Sequence, residues 1–518
     1  MTDPKKKKKK YFKPAPASWL VLFAVFVIFA VMLIKFPVTP LLWRMALLGV
    51  ITLIVALFGL LSFRKTKKKH NPKIGTTVLN VILAIFLAAG SWLLPHVEKR
   101  VDEVFTPIGE TVTTTINVYA LTTDYKTEHI DIFKETNNVI TSTNLQDYKN
   151  SVFITQSSVD QENQNNAVAF INQELNTTIS ENNCETIWDA VAALYAGDGA
   201  ALILNEGYVS SLEETDTYAS FSEDTIILRT ITIEMEAASQ KETAAGTEAS
   251  TDHSFAIYFG GSDSRDSALS IYTRTDVNIV GCVDPVNKQI MLISIPRDLY
   301  VQNPYLNNGY DKLTHLGNSG IQNTVEGFNQ LLDADVGNYV VVNFSTYTTI
   351  VNALGGIDVN NPYEFSAGNY YFPAGYIHIS GDEALAYVRE RYSLSNGDFG
   401  RNEHQTIVLK AILQKILSAE TITKFDSLLS ALAGTFATNI TSDQIYALVN
   451  QQISAMTTWN IVSYHVDAWG EYGETASMPG QQLYINHPYQ NQLDFLKGEY
   501  DKIMAGEIIT QQSMPAGE

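Results

Sequence analysis

Arginines are concentrated in one part of the sequence, and their number suits the binding of an anion. Residues 101–518 contain seven arginines, and six of them lie between positions 265 and 401. A planar guanidinium stays charged in any site and can donate paired hydrogen bonds to phosphate or carboxylate. These six residues are Arg265, Arg274, Arg297, Arg389, Arg391 and Arg401. As a group they predict a site for an anion such as a phosphate or a carboxylate.

Two aspartates could complete such a site. Asp263 follows the apolar run SFAIYFGG, and Asp276 begins the run DVNIVGCVD. Mg²⁺ binds one or two carboxylates together with phosphate oxygens and water, so this pair could hold the metal. Either carboxylate could instead accept a proton from an attacking hydroxyl. The pair is therefore compatible with a metal site or with a general base, whereas Asp263 by itself could also be a turn residue in GGSDS.

The pair Arg389 and Arg391 can contact one ligand only where the chain is extended. Residues two apart point to the same side of an extended segment, but they diverge by about 200° on a helix. The preceding segment SGDEALAYV contains a capping-box pattern in Ser380 and Glu383, which predicts a helix. We therefore expect that helix to end near Val388, so that both arginines emerge on one side.

A second helix, predicted over about 401–418, would return Arg401 and Gln405 to the same place. His404 lies beside them in the chain, and we interpret it as a helix-surface residue. For any single arginine, an ion pair with a nearby acid is the simpler explanation, because surface pairs are common. The concentration of six arginines favours the anion site.

Strand and helix patterns alternate over 254–510 and predict an α/β domain with a central mixed sheet flanked by helices. The predicted strands are 254–261, 276–284, 288–296 and 338–344, with a hairpin joining the second and third. The predicted helices are 320–332, 345–354, 401–418 and 488–504. Three of the arginines lie at strand ends, where open α/β sheets bind their ligands.

A smaller α/β domain is predicted over 105–237, before a polar linker at 238–253. Its segments alternate between strand-like and helix-like patterns, and we find no catalytic constellation in it. The two cysteines, Cys184 and Cys282, are too few for a disulfide framework. Cys282 lies in an apolar run and is expected to be a small core residue.

The first hundred residues predict a membrane anchor. Apolar runs at about 15–34, 43–63 and 74–95 are each long enough to cross a bilayer as a helix. Residues 1–100 carry 17 Lys and Arg against 2 Asp and Glu, whereas the rest of the chain carries 18 against 53. Lysines before the first run and between the second and third place those segments on the cytoplasmic side. We therefore expect a multi-pass plasma-membrane protein whose later domains are extracytoplasmic.

The ordered motifs GSDSR, RTDVNIV, ISIPRDLYV, GDEALAYVRERY and GDFGRNEHQ resemble the LytR-CpsA-Psr family of Gram-positive cell-envelope proteins. The similarity covers about 254–420 and continues more weakly to 480. Three membrane spans followed by an accessory domain are similar to the capsule-associated CpsA branch. The resemblance implies a phosphotransferase that moves a glycopolymer, of capsular or teichoic-acid type, from a polyprenyl-pyrophosphate carrier to peptidoglycan.

The resemblance also assigns roles to individual residues. It implies that Asp276, Arg297 and Asp263 are catalytic and that Asp263 and Asp276 bind Mg²⁺, with Mn²⁺ as an alternative. It implies diphosphate or head-group contacts for Arg265, Arg274, Arg297, Arg389, Arg391, Arg401 and Gln405, with Asp398 supporting the arginines. The segment between the two aspartates is about one residue longer than the family pattern, and NEHQ stands where a second basic residue is common.

Two other functions remain compatible with the same site. A polyprenyl-pyrophosphate hydrolase would use water in place of the sugar hydroxyl. A non-catalytic protein that senses envelope intermediates would need the arginines but not the aspartates. Binding of nucleic acid is disfavoured by the acidic composition after residue 100. The carrier's tail would require an apolar channel, for which the region 320–354 offers candidate residues.

Overall fold

The computed structural model describes most of the chain. The described residues are 14–37, 39–64, 73–105, 111–136, 138, 140–213, 215, 217–236, 246–262, 271, 273–391, 393–394, 397–418, 436–455 and 457–518. The chain divides into two compact units. The first combines the residues up to Phe105 with 441–457, and the second contains 106–440 and 458–518.

The first unit contains three apolar helices, which lie where the sequence predicts them. They are α1 (Pro14–Lys35), α2 (Leu41–Phe63) and α3 (Ile74–Phe105). Their most apolar segments have mean hydropathies of 2.8, 2.6 and 2.1, and each helix is long and apolar enough to cross a membrane. Large side chains such as Leu42 and Phe86 point outward, 79% and 77% exposed, which suits a lipid surrounding.

The second unit begins with a five-stranded mixed sheet. Its strands are β1 (Thr111–Leu121), β2 (Val152–Gln156), β3 (Ser180–Cys184), β4 (Ala201–Asn205) and β5 (Thr225–Glu236), in the order β3-β2-β4-β1-β5. The helices are α4 (Thr123–Glu128), α5 (Ile130–Glu135), α6 (Gln161–Leu175), α7 (Ile187–Ala196), α8 (Val209–Glu213) and α9 (Phe221–Asp224). Alternate residues of β1 enter separate cores on the two faces, since Tyr119 packs in one and Val118 in the other.

A six-stranded mixed sheet follows. Its strands are β6 (Phe255–Ser262), β7 (Thr275–Asp284), β8 (Gln289–Ser294), β11 (Val336–Asn343), β16 (Phe436–Thr438) and β17 (Asn460–His465), in the order β16-β11-β6-β7-β8-β17. The predicted hairpin is confirmed, because β7 and β8 pair antiparallel. The Asp284 carboxylate accepts hydrogen bonds from the backbone N–H groups of Val286 and Asn287, at 3.0 Å each, and closes this turn.

One face of the six-stranded sheet carries the main core. Helices α10 (Leu313–Leu316) and α11 (Ile321–Leu332) lie in the sequence between β8 and β11. Phe328 of α11 and Cys282 of β7 are both fully buried in this core, and both cysteines are free thiols, as predicted. Four residues of the region 320–354, which offers candidates for an apolar channel, are buried in this core, because the apolar stripe of α11 packs on the sheet. They are Ile321, Val325, Phe328 and Leu332.

A second core lies among the helices and hairpins that follow β11. Its helices are α12 (Phe344–Ala353), α13 (Gly381–Arg389) and α14 (Asp398–Ile416). Its short strands are β12 (Ile357–Asn361), β13 (Phe365–Ala367), β14 (Tyr370–Phe372) and β15 (Gly375–Ile379). Helix α14 also contacts β7, β8 and β17 of the six-stranded sheet.

The remaining elements are two hairpins and two helices. The hairpin strands are β9 (Tyr300–Asn303) with β10 (Gly309–Lys312) and β18 (Ala468–Thr475) with β19 (Met478–Pro488). The helices are α15 (Ser442–Ala455), which belongs to the first unit, and α16 (Gln490–Met504), which packs on the main core. The mixed α/β class predicted from the sequence is therefore confirmed, whereas the exact domain limits stay a prediction.

Candidate functional site

The antiparallel register of β7 and β8 brings Asp276 and Arg297 together. Ile279 lies opposite Ser294. Continuing the same antiparallel register by three residues places Asp276 opposite Arg297. Arg297 Nη1 donates a hydrogen bond to Asp276 Oδ1 at 2.8 Å. The two side chains are only 14% and 12% exposed. A buried, charge-assisted pair of this kind holds both groups in a fixed orientation.

Three arginines keep the Asp276 carboxylate ionised. Burial, the largest influence, opposes the charge, but the guanidinium groups of Arg297, Arg274 and Arg401 outweigh it and lower the pKa of Asp276 below its usual range. Arg274 is almost completely buried and Arg401 is half-buried. The structure therefore brings together four of the predicted site residues from three separate segments of the chain.

The start of α14 explains how Arg401 reaches this site. The helix begins at Asp398, three residues before the predicted start, so Arg401 lies in its first turn. Gln405 follows one turn later and is 6% exposed. Residues four apart on a helix share a face, which agrees with the prediction that these two side chains return together. The side chain of Asp398 lies outside the described residues.

Helix α13 ends where the sequence predicts. The Glu383 carboxylate accepts hydrogen bonds from the backbone N–H and the hydroxyl of Ser380, at 2.7 and 2.8 Å, and caps the first turn. The helix stops at Arg389, and Glu390 is extended with φ −66° and ψ 133°. Arg389 and Arg391 are both exposed. Their role in binding phosphate stays a prediction.

His404 is not a surface residue, contrary to the sequence interpretation. Its side chain is fully buried, and its ring packs 4.2 Å from that of Tyr387 and 4.6 Å from that of Phe365. Nδ1 lies 3.1 Å from the carbonyl oxygen of Tyr387 in the last turn of α13. Burial lowers the pKa of His404 to about 4, so the neutral ring donates to a carbonyl that the end of the helix leaves without an intrahelical partner. The side chain thereby joins α13 to α14.

Two predicted residues lie in the segment that the structure does not describe. Asp263 and Arg265 are outside the described residues, so their place in the site stays a prediction. Within the described part of the chain, no group of three or more His, Cys, Asp or Glu side chains is placed to hold a metal ion. Asp276 Oδ2 accepts no hydrogen bond from a described residue and is available to another cation.

Asp298 and Lys312 belong to the site, although sequence reasoning missed them. The Asp298 carboxylate lies 3.7 Å from Arg297 Nε and 3.1 Å from Lys312 Nζ. Lys312 is only 4% exposed. The Asp298 carboxylate therefore lies beside both cations and adds negative charge next to the Arg297 guanidinium. The acidic residue directly after the arginine in IPRD was the available signal.

A residue from the part of the second unit that contains the five-stranded sheet, Ser211, also contacts the site. Arg274 Nη1 donates to Ser211 Oγ of α8 at 3.3 Å, and the two residues are 3% and 1% exposed. On the other side, Gly317 lies so close to the segment before Arg274 that a Cβ would be 2.1 Å from the Thr273 carbonyl oxygen. Arg274 is thus held between two distant parts of the chain, a contact that no local pattern encodes.

This chain is similar to a known protein family and to named transferases. The LytR_cpsA_psr family matches residues 225–491, which is about half of the chain. The polyisoprenyl-teichoic acid–peptidoglycan teichoic acid transferase TagU of Enterococcus faecalis is 36% identical over 195 residues, covering 37% of this chain and 63% of that protein. TagU of Bacillus cereus is 35% identical over 175 residues, covering 33% and 57%. The alignments therefore span less than two thirds of these relatives.

Solved structures are also similar to this chain. The B. subtilis TagV structure is 29% identical with a TM-score of 0.41, and the match covers 50% of this chain and 99% of TagV. A structure described as TagT bound to LIIa-WTA is 25% identical with a TM-score of 0.40, covering 49% of this chain and 92% of that one.

The ionised state of Asp276 predicts a pH-dependent contribution to stability. The pKa of Asp276 is lower in the folded protein than in the unfolded chain. The ionised carboxylate therefore stabilises the fold at pH values above its unfolded pKa of about 3.9, and this stabilisation is lost as the pH falls through the folded pKa. We expect the parent to melt at a higher temperature than Asp276→Asn between pH 5 and 7, with a difference that shrinks below about pH 4. Asp494→Asn, an exposed substitution on α16, is the control. A difference that stays constant to pH 3 would contradict ionisation of this carboxylate by the site.

The contact between Ser211 and Arg274 predicts an effect on anion binding. We expect Ser211→Ala to weaken the binding of inorganic pyrophosphate to the full chain about fivefold, because one hydrogen bond contributes about 1 kcal/mol. Ser211→Thr keeps the hydroxyl and should bind close to the parent. Ser220→Ala, an exposed serine in the same half of the unit, is the matched control. Titration calorimetry measures all four proteins, and equal affinities would show that Ser211 does not position Arg274.

Proposed function

The chain belongs to the LytR_cpsA_psr family, and we propose that it transfers a teichoic-acid type glycopolymer from a polyprenyl-pyrophosphate carrier to peptidoglycan. The observation that carries this proposal is the group of Arg274, Arg297 and Arg401 around the ionised Asp276. The names of the relatives from Enterococcus and Bacillus, which are teichoic acid transferases, support the choice of polymer and acceptor.

The arginines suit a transfer at phosphorus. A hydroxyl of the acceptor would attack the phosphorus that carries the glycopolymer, forming a new P–O bond. The bond to the bridging oxygen would break, and polyprenyl phosphate would leave with the electron pair of that bond. Phosphoryl transfer depends mainly on positioning and on neutralising the phosphate charge. Arg274 and Arg297, which are held by buried contacts, and Arg401 beside Asp276 would supply both.

Asp276 is better suited to hold cations than to accept a proton. A general base works best when its pKa lies near the operating pH, and the arginines lower the pKa of Asp276 below the usual range of a carboxyl. The proton of the attacking hydroxyl therefore requires another acceptor, such as the diphosphate itself or solvent. Asp276 would keep Arg297 in place and contribute negative charge for a metal ion.

We propose that Asp276 shares a magnesium ion with the substrate. Asp276 is ionised, and its Oδ2 accepts no hydrogen bond from a described residue. Mg²⁺ commonly takes one or two carboxylates and completes its shell with phosphate oxygens and water. Asp276 and, by family resemblance, Asp263 would hold it. When bound, Mg²⁺ would neutralise charge that develops on the diphosphate oxygens.

The three apolar helices support a location at the membrane. Lysine-rich segments precede α1 and separate α2 from α3, which favours a cytoplasmic N-terminus and an extracytoplasmic position for the residues after α3. A polyprenyl carrier is itself a membrane lipid. Anchoring would therefore keep the arginine site near its substrate.

Removal of the Arg297 side chain tests the proposed function. We expect Arg297→Ala to reduce polymer attachment at least 100-fold, since one group that stabilises transition-state charge is typically worth a factor of 10² to 10³. Arg297→Lys keeps the charge but loses the fork that serves Asp276 and Asp298, and should retain part of the activity. Arg229→Ala, which removes a half-exposed arginine paired with Glu174, is the control.

The readout is the amount of labelled polymer joined to isolated peptidoglycan by the full chain in detergent. Full attachment by a well-folded Arg297→Ala variant would end the transferase proposal. Release of free polymer phosphate with no attachment to peptidoglycan by the parent would identify a hydrolase instead.

Chelation tests the role of the metal. We expect EDTA to abolish attachment and added Mg²⁺ to restore it, because the metal would stabilise the negative charge that develops on the diphosphate oxygens during transfer. Asp276→Asn should require a higher Mg²⁺ concentration for half-maximal activity, whereas Asp494→Asn should not. Activity that is insensitive to EDTA would contradict the metal-assisted reaction.

A further inference from the structure

Four aromatic rings form a continuous row beside the arginine site, which we name the aromatic strip. It consists of Tyr310 on β10, Tyr300 on β9, His487 on β19 and Trp469 on β18. Successive ring centroids are 5.2, 5.3 and 4.3 Å apart. Tyr310 and Trp469, at the two ends, are 51% and 45% exposed. The strip is therefore a row of packed rings whose ends face solvent.

The strip is held in a fixed shape by its own contacts. Trp469 and His487 are cross-strand partners in the hairpin, and cross-strand aromatic pairs stabilise such a ribbon. His487 Nε2 lies 2.8 Å from a carboxylate oxygen of Glu471. The Tyr300 hydroxyl donates to the carbonyl oxygen of Glu474 at 2.8 Å. Little side-chain freedom remains to be lost when a ligand binds, which favours binding.

The middle of the strip is connected through the backbone to the residues that bind Arg297. Tyr300 follows Arg297 by three positions in the chain. The backbone N–H of Asn486, beside His487, donates to the carbonyl oxygen of Asp298 at 2.9 Å. Because Asp298 also contacts the Arg297 side chain, the strip is attached directly to the site. A ligand on the strip would lie next to a reaction at Arg297.

The chemistry of the strip favours an uncharged sugar polymer. Exposed aromatic faces bury apolar area against flat partners, and their polar edges accept or donate hydrogen bonds. The neighbouring carboxylates of Glu471 and Glu474 can accept hydrogen bonds from hydroxyl and amide groups. The same carboxylates repel polyanions such as the phosphate-rich polymer of the donor, nucleic acid or an acidic lipid surface.

We propose that the aromatic strip binds the acceptor as an uncharged N-acetylhexosamine glycan strand and guides it toward the arginine site. This inference rests on the proposed function for its place in the reaction, but glycan binding by the strip can be measured without any transfer. The two substrates would bind to different surfaces according to their charge, because the arginine cluster suits the anionic donor and the strip suits the neutral acceptor.

Binding of an N-acetylglucosamine hexamer to the full chain in detergent tests the proposal. We expect calorimetry to detect binding by the parent, and Trp469→Ala and Tyr310→Ala each to weaken it about tenfold. Tyr376→Ala is the matched control, because that tyrosine is 86% exposed on β15 and lies outside the strip. Both strip residues are exposed, so these variants should fold.

The outcomes separate this proposal from the proposed function. Arg297→Ala should bind the hexamer like the parent, so that loss of transfer and loss of glycan binding are measured in different variants. No binding by the parent, or equal binding by the parent and both strip variants, would overturn the proposal.

Discussion

The ionised carboxylate of Asp276 is the constraint on which the site depends. A buried carboxylate normally tends to take up a proton, and its charge persists here because Arg274, Arg297 and Arg401 surround it. The dependence is mutual, since three guanidinium groups this close would repel one another without an anion among them. Among the described site residues, Asp276 and Asp298 carry two negative charges against four positive ones on Arg274, Arg297, Arg401 and Lys312, and this excess favours a further anion. A diphosphate carries the charge that would complete the balance.

The fold holds each arginine by a different route. The antiparallel register of β7 and β8 places Arg297 opposite Asp276. Arg401 lies in the first turn of α14, and a hydrogen bond between His404 and the Tyr387 carbonyl joins α14 to α13. Arg274 is fixed by Ser211 of α8 and by the close approach of Gly317 to Thr273. Because these supports come from distant segments, the site should form only when the whole second unit is folded.

The sequence predicts the elements of this fold better than their contacts. Strand β7 (Thr275–Asp284) agrees with the strand predicted over 276–284, because apolar and β-branched residues in DVNIVGCVD are a local signal. The capping box at Ser380 and the stop of α13 before Arg391 were equally local. The burial of His404 was missed, since it depends on rings contributed by β13 and α13. The contact of Ser211 with Arg274 joins residues 63 positions apart, and nothing in either segment encodes it.

The central claim is that the arginines around Asp276 bind the diphosphate of a polyprenyl carrier. A crystal structure of the full chain with a polyprenyl-pyrophosphate analogue and Mg²⁺ tests it most directly. We expect phosphate oxygens within hydrogen-bond distance of Arg274, Arg297 and Arg401, with a metal ion at Asp276 Oδ2. A diphosphate bound elsewhere on the protein, with the three guanidinium groups still contacting only protein atoms, would contradict the account.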